Sequence, residues 1–181
     1  PFDRFMEGDE SALSESEKRG FKLFTTTAGC SACHRGRLFT DEDFHGLGVP
    51  TPEQFSSDAI RQITLNYQLR ARGVSEEVYR TATDDPGLYL VTKIDTDFGQ
   101  FRTPMLRELG QTAPYMHNGA FATLEEVIDF YNSGGGESPN LDPLLRPLGL
   151  TDQNKSDLIA FLMSLTGDPI IVEEPQLPPY E

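Results

Sequence analysis

The sequence predicts an all-α domain with long loops. Two capping boxes, Ser14-Glu15-Ser16-Glu17 and Thr123-Leu124-Glu125-Glu126, each open a run with helical apolar spacing. A third such run follows Thr151, and the stretches between the runs are rich in proline and glycine. At 181 residues the chain is expected to form one domain, long enough to bury a core without a disulfide framework.

Ser14 caps a helix through about Thr26 that carries Phe21 and Phe24 toward the core. Residues 35–55 hold Gly36, Gly46, Gly48, Pro50 and Pro52 and read as loop. Asp58 to Ala71 carries Ile60, Ile63, Leu65, Tyr67 and Leu69, partly at helical spacing. Ser75 with Glu76 and Glu77 starts a short helix to Arg80. Leu88 to Ile94 fits a short strand or a short helix equally well. After Thr123, the residues Leu124, Val127, Ile128 and Tyr131 form one apolar face, stopped by Gly134-Gly135-Gly136. Pro139, Pro143 and Pro147 keep the next segment in loop. Thr151 starts the last helix, which buries Leu158, Phe161, Leu162 and Leu165 and ends at Gly167 with Pro169 behind it. Residues 168–181 hold four prolines and no basic residue, and are expected to form an acidic, extended arm.

Charge and hydropathy exclude several function classes. With 29 acidic and 15 basic residues the formal charge is −14, which repels nucleic acid and anionic membrane surfaces. The longest wholly apolar run, Leu158 to Met163, is far shorter than the roughly 20 residues of a membrane span. Pro1-Phe2-Asp3-Arg4 lacks the apolar stretch of a secretory leader and reads as a mature or trimmed end, which leaves export open.

The two cysteines carry the first chemical signal. They lie in Cys30-Ser31-Ala32-Cys33-His34, the c-type haem attachment pattern. Two thiols add across the two haem vinyl groups, and the adjacent imidazole reaches the iron. A thioredoxin-like pair would need a βαβ setting, and a structural zinc site would need a second ligand pair; neither is visible. One covalent haem c is therefore expected, on a domain spanning 1–167. Such haem is normally installed after export, so a periplasmic or other extracytoplasmic location follows. For the other face of the iron, His45, His117, Met6, Met105, Met116, Met163 and the tyrosines are candidates by chemistry. Spacing alone favours packing for Met163 and Tyr131, and the Gly-rich loop around His45 suggests a solvated or hydrogen-bonded role for it.

Taken together, these segments resemble the C-terminal haem domain of the di-haem cytochrome c peroxidase/MauG family. The resemblance rests on Pro1-Phe2-Asp3-Arg4-Phe5, the haem motif, Phe44-His45-Gly46-Leu47-Gly48-Val49-Pro50 and Phe101-Arg102-Thr103-Pro104-Met105-Leu106-Arg107. It continues through Thr112-Ala113-Pro114-Tyr115-Met116-His117-Asn118-Gly119, Thr123 to Tyr131, and Leu148-Gly149-Leu150-Thr151-Asp152, covering about residues 1–168.

The resemblance implies a class I cytochrome c-like domain and several residue roles. Cys30 and Cys33 would carry the thioethers and His34 the proximal bond. The family's peroxidases place a distal Met where this chain has Tyr131, and MauG-like members place a Tyr there. The resemblance thus promotes Tyr131 to distal ligand. A phenolate is hard and anionic, so the exchange favours oxidised iron and a store of oxidising equivalents. His117 would act by hydrogen bonding near the haem. Arg102 and Arg107 would pair with propionates, or equally form ordinary salt bridges. A Ca²⁺ ion between the two haems would be held by backbone carbonyls of Thr112 and Pro114, with an Asn from the other domain. This chain has one haem motif where members normally have two, and it has no Trp; Ala28 stands where MauG has one. The implied function is the C-terminal haem half of a di-haem peroxidase or MauG-like oxidase, working with a second haem domain or chain. The electron donor or oxidised substrate would be a small redox protein or a protein side chain. The alternatives are a free-standing mono-haem electron carrier or a haem subunit of a larger complex.

Overall fold

In the computed structural model, which describes residues 1–168 and 171–172, Ser14 accepts the Glu17 N–H and Glu17 returns the bond to the Ser14 N–H. This box opens α2 (Glu15–Thr25), preceded by the short α1 (Phe2–Met6). The same reciprocal capping opens α7 (Leu124–Asn132) from Thr123 and α8 (Asp152–Met163) from Thr151. Between them lie α3 (Glu53–Ser56), α4 (Ala59–Ala71), α5 (Glu76–Thr81) and α6 (Tyr89–Thr92). Asp58 caps α4 by accepting the Ile60 and Arg61 N–H groups.

The core is built where α2 crosses α8. Phe161, wholly buried, sits among Phe2, Phe21, Phe24 and Phe39 at centroid distances of 5.1–6.1 Å. Such aromatic contacts add roughly 0.5–1.5 kcal/mol each beyond the area they bury. The crossing is close because Gly20 lies directly over the Asp157 carbonyl, with no room for a β-carbon. Ser16, Arg19 and Gln153 close on the buried Asp157 carboxylate. Leu124 and Ile128 of α7 join the same core. A second, smaller core holds Leu69, Val74 and Tyr89.

The predicted all-α fold is mostly what forms, with one exception. The stretch read as loop over 35–55 contains α3 and a strand, β1 (Phe44–Gly46), paired antiparallel with β2 (Gln100–Arg102). Three-residue strands are too short to print an alternating pattern, and a β-carbon at Gly46 would run into the Asn140 carbonyl. Leu88 to Ile94 resolves as the helix α6. In α4 only Leu65 and Leu69 face the small core; Ile60, Ile63 and Tyr67 lie on the opposite side, 70–78% exposed. The last helix ends at Met163, with Leu165 buried just past it. Of the arm expected over 168–181, residues 169–170 and 173–181 lie outside the described residues.

Candidate haem-binding site

The two cores flank a cavity of about 880 Å³. Leu124, Val127 and Ile128 of α7, with Leu158 and Leu162 of α8, line it with apolar side chains. Phe24, Ala28, Leu106 and Leu148 extend that lining. Its volume falls within the roughly 300–1,000 Å³ of sites that take drug- and cofactor-sized ligands.

The haem motif enters this cavity directly from α2. Ala28 N–H bonds to the Leu23 carbonyl, Gly29 turns at φ +67°, and Cys30–Ala32 form a 3-10 turn. The turn brings Cys30, Cys33 and His34 onto the cavity wall, and both thiols are free. Burial pushes the Cys30 thiol up to about 11 and raises Cys33 as well, so both stay protonated at neutral pH. His34 Nδ1 donates to the Phe39 carbonyl at 2.9 Å. A carbonyl can only accept, so that bond fixes the tautomer and leaves Nε2 with its lone pair. Burial also lowers the His34 pKa and keeps the ring neutral, as a ligand must be.

Tyr131 projects from the last turn of α7 into the same cavity. Burial pushes its phenol well above the ordinary tyrosine value, with the nearby Cys30 and Cys33 adding to the effect. It is therefore a neutral phenol until a cation shares the space. Met105 and Met116 also line the cavity, whereas Met6 and Met163 do not. Met163 is half exposed and packs near Gly110, so it is a surface residue rather than the core residue its helix suggested.

Of the other predicted residues, all but Arg107 lie at the cavity lining. His117 stacks on Phe101 at 3.6 Å and 13°, with Nε2 4.0 Å from Asp84. Burial lowers its pKa, opposed by Asp84 and Asp85. Arg102 lines the cavity but gives its guanidinium to Glu42, at 2.8 Å from the carboxylate. Arg107 lies elsewhere, in a two-pronged pair with Asp3 at 2.7 and 2.8 Å. Thr112 and Pro114 reach the cavity, and among the described residues neither carbonyl accepts a hydrogen bond. Sequence reasoning missed Asp41 and Asp142, which hold His45 from both sides beside Cys33. No local pattern joins residues about a hundred positions apart; only the loop packing does.

These groups suit a haem: two free thiols, an imidazole anchored through Nδ1 and a half-buried phenol share one largely apolar cavity. No protein-family model matches the chain. Among curated proteins it is 47% identical over 179 residues to cytochrome-c peroxidase IdrP1 of Denitromonas iodatirespirans, covering 98% of this chain and 48% of that protein. It is 34% identical over 178 residues to the methylamine utilization protein MauG of Methylorubrum extorquens, covering 98% of this chain and 42% of that protein. Over 98% of its length the chain resembles the C-terminal half of the di-haem cytochrome c peroxidase/MauG family. It spans about half the length of the curated relatives it matches. Among solved structures it is similar to a MauG-like protein associated with microbial copper homeostasis, with TM-score 0.70 and 30% identity over 92% of this chain and 48% of that one. The diheme peroxidase BthA from Burkholderia thailandensis gives TM-score 0.61 at 25% identity, covering 86% of this chain and 43% of that one. Haem is the cofactor of the family. No described helix is long and apolar enough to cross a membrane.

Proposed function

We propose that this chain is the haem c half of a di-haem cytochrome c peroxidase or MauG-like enzyme, holding and transferring electrons or oxidising equivalents during peroxide reduction. One observation carries it: Cys30, Cys33, His34 and Tyr131 line a single cavity. In this proposal Cys30 and Cys33 form the thioethers of one covalent haem in a class I cytochrome c-like domain. His34 would hold the iron through Nε2, its ring kept in place by the Phe39 carbonyl. Tyr131 would be the second iron ligand, as a phenolate whose proton leaves to solvent, since burial without a cation keeps the phenol neutral. When bound, the haem supplies one-electron redox chemistry at its iron.

The residues at the cavity lining then orient and enclose the group. His117, fixed against Phe101, hydrogen-bonds near it, and Arg102 can turn from Glu42 toward a propionate. The unused carbonyls of Thr112 and Pro114 suit Ca²⁺, which prefers hard oxygen ligands. The peroxide-reacting haem belongs to a partner domain or chain. A small redox protein supplies electrons, or a protein side chain is oxidised. The location is periplasmic, where covalent haem is assembled.

The test is optical and mass spectrometry of the purified protein with its partners. A Soret band, one haem of added mass on this chain and a co-purifying second haem domain are expected. A colourless chain of bare polypeptide mass overturns the proposal. A red chain that never associates with another haem protein supports the mono-haem carrier instead. Tyr131→Phe is expected to abolish the charge-transfer and spin-state signature of a phenolate-bound ferric haem. An unchanged spectrum would remove Tyr131 from the iron.

A further inference from the structure

His45 has no part in the function proposed above, yet it is the most tightly held histidine of the chain. Its Nδ1 stands 2.6 Å from Asp142 Oδ2 and its Nε2 3.2 Å from Asp41 Oδ2. Both carboxylates are fixed independently of the ring. Asp142 accepts the Leu144 N–H at 2.8 Å, and its own N–H bonds to the Gly46 carbonyl. Asp41 accepts the Asp43 N–H at 3.0 Å, and its side chain is 4% exposed. Two acceptors facing both ring nitrogens require both nitrogens to carry protons. Burial pulls the His45 pKa down, but the two carboxylates more than reverse this and leave it above the ordinary value.

The trio is therefore one imidazolium between two carboxylates, in a half-sheltered place. Its position gives it a role. His45 lines the cavity, and its Nδ1 lies 4.0 Å from Cys33 Sγ. Asp41 and Asp142 both act on that sulfur electrostatically, as do Asp43 and Arg35 at the surface. Charges in this setting are only partly screened by water.

We infer that the Asp41–His45–Asp142 clamp is a positioning and charge-setting group for the redox centre attached at Cys33, fixing its potential through one positive and two negative charges beside the sulfur. His45 is not a ligand here; it acts through its charge and through the loops it joins. This inference rests on the haem attachment proposed above.

Charge and mere structure make different predictions. Reduction adds an electron, so removing a nearby positive charge disfavours it and removing a nearby negative charge favours it. His45→Gln is expected to lower the midpoint potential of the haem-loaded chain, and Asp142→Asn to raise it. The measurement is spectroelectrochemical titration at mildly acidic pH, which favours the protonated imidazole. Both shifts should shrink as salt is added. A clamp that served only to hold the loops would move both variants in the same direction, and that result, or no shift, overturns the inference. Should His45→Gln fail to retain haem, Asp142→Asn decides alone: a lowered or unmoved potential overturns it. A red wild-type protein with unmoved variants sinks only this inference, whereas a wild-type protein without a Soret band sinks the haem reading and this one with it.

Discussion

Asp157 is the residue whose charge state most directly reports on the fold. Its carboxylate is buried at the helix crossing and accepts bonds from Arg19 at 2.8 Å, Ser16 at 2.6 Å and Gln153 at 3.0 Å. The Arg19 guanidinium, against the opposing cost of burial and with help from Ser16 and Gln153, holds its pKa down to about 2. A carboxyl with a depressed folded-state pKa contributes stability that is complete above its unfolded value near 4, and is lost as pH falls toward the folded value. The denaturant midpoint of the protein should therefore drop between about pH 4 and pH 2. Asp157→Asn should flatten that limb while lowering stability at neutral pH. An acid limb unchanged in the variant would show that Asp157 is not a main source of it. Asp41, also near 2, contributes in the same window. At this scale the sequence displays some roles and hides others. The haem motif is contiguous, so Cys30, Cys33 and His34 are legible from five letters. Tyr131 is not, because helical spacing is identical for a side chain facing a packed core and one facing a cavity; only the family resemblance points to it. The clamp around His45 is assembled from residues 41, 45 and 142, and no local pattern reveals it.

Among the elements, the crossing of α2 and α8 depends on Gly20. By helix propensity alone, Gly20→Ala should stabilise α2 by about 1 kcal/mol. The geometry reverses that sign. A methyl group there would drive into the Asp157 carbonyl and lie 2.7 Å from the Phe161 β-carbon. Backbone cannot yield as a flexible side chain can, so the helices must part and the Phe161 cluster must loosen. A net loss of roughly 2 kcal/mol is expected in chemical denaturation. A more stable variant would show that the helices are not in close contact. The three capped helices were legible because the two boxes read in the sequence and the Thr151 start are local chemistry and their apolar faces have the helical period. The ribbon β1–β2 was not, since its partners lie more than fifty residues apart and each strand is three residues long. The helix α4 shows the opposite limit. Its spacing reads correctly as helix, but apolar residues lie on both sides of it, and spacing does not reveal which side is covered.

At the scale of the whole molecule, the chain is held by two cores of unequal size. The main one buries thirteen residues from Phe2 to Leu165 and unites both ends of the described fold. The small one buries Leu69, Val74 and Tyr89, with partly buried neighbours from α4, α5 and α6. Each fully buried side chain contributes roughly 1.5–3 kcal/mol before the entropy of ordering the chain is subtracted. Three such residues leave little surplus over the ordering of about forty residues from α4 to β2. The segment is joined to the rest by the ribbon and by a few polar bonds, such as Asn140 Nδ2 to the Asp95 and Phe98 carbonyls. It should therefore open without global unfolding. In hydrogen exchange read by mass spectrometry, the amides of α4 and α6 should exchange at least about tenfold faster than those of α2 and α8. Because Val78, Thr81 and Phe98 of this segment also line the cavity, a haem seated there should slow that exchange in α5 more than in the outward-facing turns of α4. Equal protection of α2, α4 and α8 would mean that the two cores unfold as one cooperative unit.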